Sequence, residues 1–483
     1  MTSLADRLRT STIPARIIAA WNAAATRGNP VAVIVVAWAL LAVPLVFFRG
    51  YNSDEGLAVS IARTALEDGD WLTPHMFNLR WVERPTLLSW IIAALSAPFG
   101  SVSQVTARLP IVLFLVLGCL SIYALLRKAA ASVPAALFGV ALFLACPLVM
   151  RSYVMITADM PLAVLLFLAF VLWWDGYATG SISLVRWSLI GVVLSLAGLM
   201  KGPQPVSYFA LGVGLFVVAS RSWRQIPGLA LAGLICAIPL AAWYWHVYAA
   251  GDEANWAAFM RLRPVALLPG PLPATLRLLT ETSPAALAAT AFLVTLRRGG
   301  ERPERRTLVG ALACYAFAAS LLILFWPGGS APRYFFPMVP PLAVLGGLGY
   351  DALAARRPQI VAPIVVLTTG LLTYALVYSV VASPLLPERF RETQLEAARI
   401  TAFVKAAPAP IYRTGDTALN VLPYVPGRIR NASFDELVAM PAPAWMVLPN
   451  AEAAALLSRR PGKLRVVMPL GEREEWRLLR LDE

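Results

Sequence analysis

Charge is what this chain has least of. Only 14% of its 483 residues are Asp, Glu, Lys or Arg, against about 25% in soluble domains. Apolar residues make up 59%, and the mean hydropathy is +0.67. Those values exclude a soluble globular protein and leave a polytopic α-helical membrane protein in which one bundle takes up most of the chain. Acidic residues are the scarcer sign: 27 stand against 41 Lys and Arg, for a net charge of +14. No basic stretch interleaved with aromatics stands apart from the apolar runs, so the surplus is not a nucleic-acid footprint. Arg clusters at the cytoplasmic ends of spans, facing anionic lipid, account for it. Cysteine is scarce too. Cys119, Cys146, Cys236 and Cys314 all lie inside apolar runs with no CxxC spacing, which excludes a disulfide framework or a cysteine zinc site and leaves small buried apolar residues. His75 and His246 are the only histidines. A metal held by His246 and Glu83 is not demanded by their spacing, so no cofactor is expected and a divalent metal is without support. A glycine-rich phosphate loop, GxSxG and HExxH are all absent. With no internal repeat, an inverted-repeat transporter gains no support.

What is present is a series of apolar runs. A span needs about 20 largely apolar residues, and candidate spans start near Val31, Leu109, Val133, Met160, Leu184, Val206, Ile226, Ala285, Leu308, Tyr334 and Ile360. The segment "TLLSWIIAALSAPFG" (Thr86–Gly100) has an apolar part of only about a dozen residues, the length of an interfacial or re-entrant helix. Topology favours that choice. If it does not cross, Arg127/Lys128, Arg221/Arg224, the run Arg297–Arg306 and Arg356/Arg357 all face inward together, as the positive-inside rule asks. The expected organisation is a cytoplasmic segment at 1–30, a membrane domain at 31–384 whose first outer loop spans 49–108, and an outer domain at 385–483.

The tail reads differently. Short β-like runs at Pro410–Arg413, Ala444–Pro449, Leu464–Met468 and Trp476–Leu481 alternate with helix-like stretches at Arg391–Lys405 and Glu452–Arg459, the pattern of a small soluble α/β domain.

The chemistry-bearing residues gather at outer membrane edges. Asp54 and Glu55 follow the first span, Glu83 and Arg84 open the short helix, and Asp159 precedes an apolar run. A carboxylate at the bilayer centre costs about 2.5–3.5 kcal/mol on insertion scales, so these acids face water or a polar cavity. Acids at one surface can supply a general base and electrostatic stabilisers, whereas a transporter places its acids near the midplane. Arg84, Lys201, Arg261, Arg263 and Arg333 break the positive-inside pattern on that same face. An anionic lipid phosphate is one reason for outer-side Arg and Lys; headgroup contact and internal pairing are others. A transporter or flippase for lipid-linked sugars, and an interaction protein binding through its tail, remain as readings from other classes.

The order of these pieces resembles a known family. An acidic pair after span one, then "EDGDWLTPHMFNLRWVERPTLLSW", "ARLP", "ADMPLAV", "MKGPQP" and "PRYFFPMVPPLAVL", is similar to the GT-C glycosyltransferases of the aminoarabinose transferase and protein mannosyltransferase-like group. The resemblance covers roughly Val31 to Leu348. It implies about 11–13 spans with periplasmic juxtamembrane helices and a bacterial inner-membrane location. The implied activity is inverting transfer from a polyprenyl-phosphate sugar to a lipid acceptor such as lipid A or lipopolysaccharide, with a protein acceptor as the alternative. By position, Asp54 matches the family's catalytic acid and Asp159 that of the second outer loop. Glu83 and Arg84 match an acidic-basic pair usually followed by two prolines; Arg84 stands where Lys is common, and Thr86 replaces the second proline. Lys201 matches the Lys before Gly-Pro, and Arg333/Tyr334 the Arg-Tyr pair. The resemblance thus makes Asp54 the base toward the acceptor, with Asp159 and Glu83 positioning. Arg84, Lys201, Arg333 and Tyr334 bind the donor phosphate, while Glu55, Arg261 and Arg263 are candidate substrate contacts. In "NWAAFMRLRP" the family often carries His, and this chain has Met260 and Arg261, a departure that puts the family's occasional metal site in doubt here.

Overall fold

The computed structural model describes residues 12–180, 183–249, 271–296, 303–324, 331–415, 417–471 and 473–482. Two compact units emerge, each made of two chain segments: Met1–Pro44 with Ile111–Ala382, and Leu45–Pro110 with Ser383–Glu483. The sequence places both loop 49–108 and the tail outside the bundle; the first of them packs with the second in one unit.

The first unit is the helical bundle. Every expected span start falls on or at the edge of a helix. Among the described residues, seven helices are long and apolar enough to cross a membrane: Pro30–Phe48, Gln104–Lys128, Asp159–Ala178, Leu184–Lys201, Trp223–Ala249, Pro303–Ile323 and Pro358–Leu385. Thr275–Thr282 and Ala285–Leu296 make an eighth if their 103° bend is counted as one broken span. The protein is therefore a multi-pass membrane protein. Of the remaining three starts, two lie on shorter helices, Val133–Ala145 and Val206–Ala219, and Tyr334 lies on the 3₁₀ helix Pro332–Met338 that leads into Val339–Leu353. Proline explains the first: Cys146 is extended (φ −63°, ψ 129°) ahead of Pro147, because the residue before a proline is pushed out of the α region. The run read as Met160–Trp174 extends to a full 20-residue helix, Asp159–Ala178. Helices approach closely where a side chain is missing: a Cβ on Gly228 would sit 2.0 Å from the Trp187 ring. All four cysteines are free; Cys119, Cys146 and Cys236 are buried and Cys314 is partly so.

The second unit joins the first outer segment to the tail. Helix Ser53–Asp68, a small hairpin of β1 (His75–Met76) and β2 (Leu79–Arg80), and helix Leu87–Ser96 come from the former. At 10 residues Leu87–Ser96 is too short to cross, in line with the interfacial reading of Thr86–Gly100. The tail supplies helix Pro387–Ala406 and a five-stranded sheet: β3 (Ile411–Arg413), β4 (Ile429–Asn431), β5 (Ala444–Pro449), β6 (Leu464–Leu470) and β7 (Trp476–Leu481). Strand order is β4-β3-β5-β7-β6, with β3 parallel to β4 and β5, and β7 antiparallel to β5 and β6. Central β5 is buried on both faces, and its side chains divide with period two. Trp445 and Val447 enter one core with Ile61, Met76 and Phe77 of the first outer segment. Ala444, Met446 and Leu448 enter another beneath helices Phe434–Ala439 and Asn450–Arg459. Gly56 sits where a Cβ would lie 1.6 Å from the Leu419 carbonyl oxygen, so only glycine permits that approach of helix to loop.

Candidate active site

In the bundle unit, three elements bring four of the expected residues together. Asp159 is the first residue of helix Asp159–Ala178, and Lys201 is the last of Leu184–Lys201, which Gly202 ends at φ +105°. Arg333 and Tyr334 lie on the short 3₁₀ helix Pro332–Met338. The Lys201 ammonium donates to Asp159 Oδ1. Arg333 Nε stands 3.7 Å from Asp159 Oδ2, and Lys201 Nζ lies 4.3 Å from the centroid of the Tyr334 ring, within cation–π range. Asp159 is buried. The free space among these groups, bounded also by Gln204, Tyr208 and Pro337, is ≈10 Å³, room for about one water. Two cations thus converge on one largely buried carboxylate, and cations so placed make strong charge-assisted contacts to an anion.

The second cluster belongs to the other unit. Asn52 caps helix Ser53–Asp68 with a capping box: its side chain accepts the Glu55 N–H at 2.9 Å, and Glu55 Oε2 accepts the Asn52 N–H at 2.9 Å. Glu55 Oε1 is 3.6 Å from Arg108 Nη2, and both side chains are 0% exposed. Arg108 also donates to the carbonyls of Val46 (3.2 Å), Gly50 (3.0 Å) and Arg49, and lies 5.3 Å from the Tyr51 ring centroid. Tyr51 stacks on Tyr424 with centroids 4.3 Å apart. Burial drives the Tyr51 phenol well above its ordinary range and pushes Tyr424 up to about 12. Both are thus neutral stacking partners at physiological pH. Asp54, one position before Glu55, is exposed on the first turn.

The expected residues therefore fall into two sets. Asp159, Lys201, Arg333 and Tyr334 form one; Asp54 and Glu55 sit on the capped helix of the second unit. In that same unit Glu83 and Arg84 make a half-exposed pair 3.7 Å apart, ahead of helix Leu87–Ser96. Thr86, at the family's second proline, occupies the N-cap of that helix without a side-chain capping bond. Arg261 and Arg263 lie outside the described residues. Sequence reasoning missed Arg108 as a key residue, although it sits inside the quoted "ARLP". An Arg at the threshold of an apolar run was the available signal. Among the described residues no group of three or more His, Cys, Asp or Glu side chains could hold a metal ion.

Comparison with known proteins bears on this geometry. Residues 83–245 match the family described as dolichyl-phosphate-mannose-protein mannosyltransferase. An undecaprenyl phosphate-alpha-4-amino-4-deoxy-L-arabinose arabinosyl transferase from Pseudomonas aeruginosa is 26% identical over 67% of this chain and 60% of its own length. A protein of the same description from Sodalis glossinidius is 27% identical over 70% of this chain and 62% of its own. The chain thus spans about 60% of the length of the curated relatives it matches. Among solved structures, ArnT from Cupriavidus metallidurans bound to undecaprenyl phosphate superposes with a TM-score of 0.74 at 18% identity, covering 93% of this chain and 97% of that one. Its apo state gives 0.72 at 19%, with 93% and 96% covered. The chain thus shares the fold of the ArnT structures, and over part of its length its sequence is similar to aminoarabinose transferases.

Proposed function

We propose that the chain is an inverting glycosyltransferase that moves a sugar from a polyprenyl-phosphate donor to a lipid acceptor, lipid A or lipopolysaccharide, at the periplasmic face of the bacterial inner membrane. The observation that carries the reading is the Lys201–Asp159–Arg333 cluster with Tyr334 beneath the ammonium. It is a cationic site built for a phosphate, in a fold shared with a protein solved with undecaprenyl phosphate. The names of the sequence relatives support an undecaprenyl-phosphate donor and an aminopentose cargo. The Arg clusters support a cytoplasmic N-terminus and a periplasmic tail.

In the step, the acceptor hydroxyl oxygen attacks the anomeric carbon, and the bond from that carbon to the phosphate oxygen breaks on the opposite side. The hydroxyl proton passes to the Asp54 carboxylate. The electron pair leaves with the polyprenyl phosphate, which needs no proton to depart. Lys201 and Arg333, with Arg84 by its place in the Glu83–Arg84 pair, stabilise the charge that grows on the leaving phosphate. Asp159 and Glu83 hold those cations in place. Glu55, through its capping box and its bond to Arg108, fixes the turn that carries Asp54. Arg261 and Arg263 are assigned to substrate.

The match of residues 83–245 to a protein mannosyltransferase family favours a second reading, with a secreted polypeptide as acceptor. One experiment separates the two. A deletion strain is complemented with the wild type or with Asp54→Asn, and lipid A and periplasmic proteins are analysed by mass spectrometry. Loss of a sugar-sized increment from lipid A, restored by the wild type and not by Asp54→Asn, is the expected result. Intact lipid A with lost protein glycosylation turns the acceptor to protein. Full restoration by Asp54→Asn refutes its role as base.

A further inference from the structure

Within the second unit, the capped turn and the tail border a cleft that the transfer step above does not use. It holds ≈490 Å³, inside the range of about 300–1,000 Å³ typical of ligand pockets. Asn52 and Glu55 bring to it the turn on which Asp54 sits. Thr393 and Glu396 come from helix Pro387–Ala406, and Trp476 opens β7. Glu396 Oε1 accepts the Gly471 N–H at 2.9 Å, which ties that helix to the connection between β6 and β7. Among the described residues no aliphatic hydrocarbon side chain borders the cleft, so neither an acyl nor a polyprenyl chain finds an apolar wall in it.

Two observations separate it from an ordinary solvated cleft. Thr393 and Asn420 both border it, and their Oγ1 and Oδ1 atoms are shut off from solvent with no hydrogen bond among the described residues. A buried polar group left unsatisfied costs about 1–3 kcal/mol. Asn420 Oδ1 can only accept, so its partner must bring an O–H or N–H. A phosphodiester brings neither. The second observation is Trp476. It is half-buried, packs against the core that contains Ile61, Met76 and Trp445, and also borders the cleft. An indole so held is a rigid platform with an apolar face. A sugar ring answers both features, with C–H groups on its faces and hydroxyls around its edge.

We propose that this cleft seats the saccharide headgroup of the acceptor, with Trp476 against one sugar ring and Asn420 and Thr393 bonded to its hydroxyls. This rests on the lipid-acceptor reading above and adds the place where that acceptor is held. Asn52 and Glu55 flank Asp54 in the chain, so a headgroup in the cleft is held at the turn that carries the base. The tail is then part of the acceptor site.

The test measures binding and stability of the detergent-purified full chain. The probe is the de-acylated disaccharide of lipid A. Farnesyl phosphate is the donor-side control, and a Ser/Thr-rich peptide is the rival acceptor. The wild type is expected to bind the disaccharide. Thr393→Val removes a hydroxyl with no other partner among the described residues. Its thermal midpoint should hold or rise while its affinity for the disaccharide falls about 2–10-fold, the worth of one hydrogen bond. A purely structural hydroxyl would lower the midpoint instead. Trp476→Leu should lose about tenfold, and Trp476→Phe, which keeps a ring, should fall between it and the wild type. Affinity for farnesyl phosphate should stay constant throughout. Thr393→Val keeps the proposal testable if Trp476→Leu does not fold. Unchanged disaccharide binding in these variants, or equal loss of disaccharide and farnesyl phosphate, overturns the cleft assignment and leaves the lipid-acceptor reading standing. Peptide binding that is lost in the same variants gives the cleft to a polypeptide and overturns the saccharide assignment. A wild type that binds no disaccharide overturns the lipid A reading itself, and the proposal with it.

Discussion

Replacing Arg108 with Met tests whether one buried cation holds the turn that carries Asp54. The guanidinium is 0% exposed, pairs with an equally buried Glu55 at 3.6 Å, and donates to the carbonyls of Val46, Arg49 and Gly50. Methionine fills much of the same volume and makes none of these bonds. Glu55 keeps the Asn52 N–H but loses its counter-ion. Removing one partner of a buried pair costs about 3–5 kcal/mol, because the other charge is left uncompensated. The affected unit has about 170 residues, a size at which each kcal/mol moves a thermal midpoint by about 2–4 °C. The expected drop is therefore ~6–20 °C, read as tryptophan fluorescence during thermal unfolding of the detergent-purified chain. Glu55→Gln combined with Arg108→Met removes the stranded charge, so the double variant should lose less than the two single variants added together, by about 0.5–3 kcal/mol. Transfer activity should fall with Arg108→Met even below its midpoint, since the capped turn is no longer fixed. An Arg108→Met midpoint within about 1 °C of wild type would refute the reasoning, because a pair so deeply buried cannot be both intact and dispensable.

Three further outcomes follow from the same contacts. Gly56→Ala places a methyl 1.6 Å from the Leu419 carbonyl oxygen, a backbone atom with little freedom to yield. A loss of about 1–3 kcal/mol or more is expected, and an unchanged melt would contradict the packing of helix Ser53–Asp68 on the tail. Asn52→Ala removes the side-chain half of a capping box and should cost about 0.5–2 kcal/mol, clearly less than Arg108→Met in the same assay. Arg84→Met, at a half-exposed position, should leave the midpoint within about 0.5 kcal/mol of wild type while raising the KM for the lipid-linked donor. A lowered midpoint with unchanged KM would assign Arg84 to structure.

Much of this molecule was legible in its sequence, for physical reasons that can be named. Apolar runs located the bundle helices because lipid leaves a chain no other way to satisfy its backbone. The four β-like runs of the tail all became strands, β3, β5, β6 and β7. Strand β4 escaped notice because three residues, Ile429–Asn431, are too few to display a period. Helix Phe434–Ala439 was also unforeseen, although Ser433 and Glu436 form a capping box whose S-x-x-E spacing stands in the sequence. The convergence of Asp159, Lys201, Arg333 and Tyr334 came from the order of motifs, since residues so far apart in sequence carry no periodicity that joins them. The pairing of Glu55 with Arg108 needed the fold. In sequence Glu55 looked like a partner of Asp54, and only burial distinguishes the neighbours. The same holds for the first outer segment, whose Ile61, Met76 and Phe77 share a core with the tail.

That shared core has a consequence for how the protein is made. Residues 45–110 are synthesised before their partner residues 383–483, with all of Ile111–Ala382 between them. At translation rates of about 5–20 residues per second, the early segment waits roughly 15–55 s for its other half. During that interval Ile61, Met76 and Phe77 have no sheet to cover them, and the close approach at Gly56 has no Leu419 to meet. The contacts that can form at once are local to the segment: the Asn52–Glu55 capping box and, as soon as the next span begins, the bond to Arg108. A weakened Arg108 would therefore be felt first as a defect of biogenesis, with exposed apolar surface offered to chaperones and proteases, before any loss of catalytic rate in the molecules that survive.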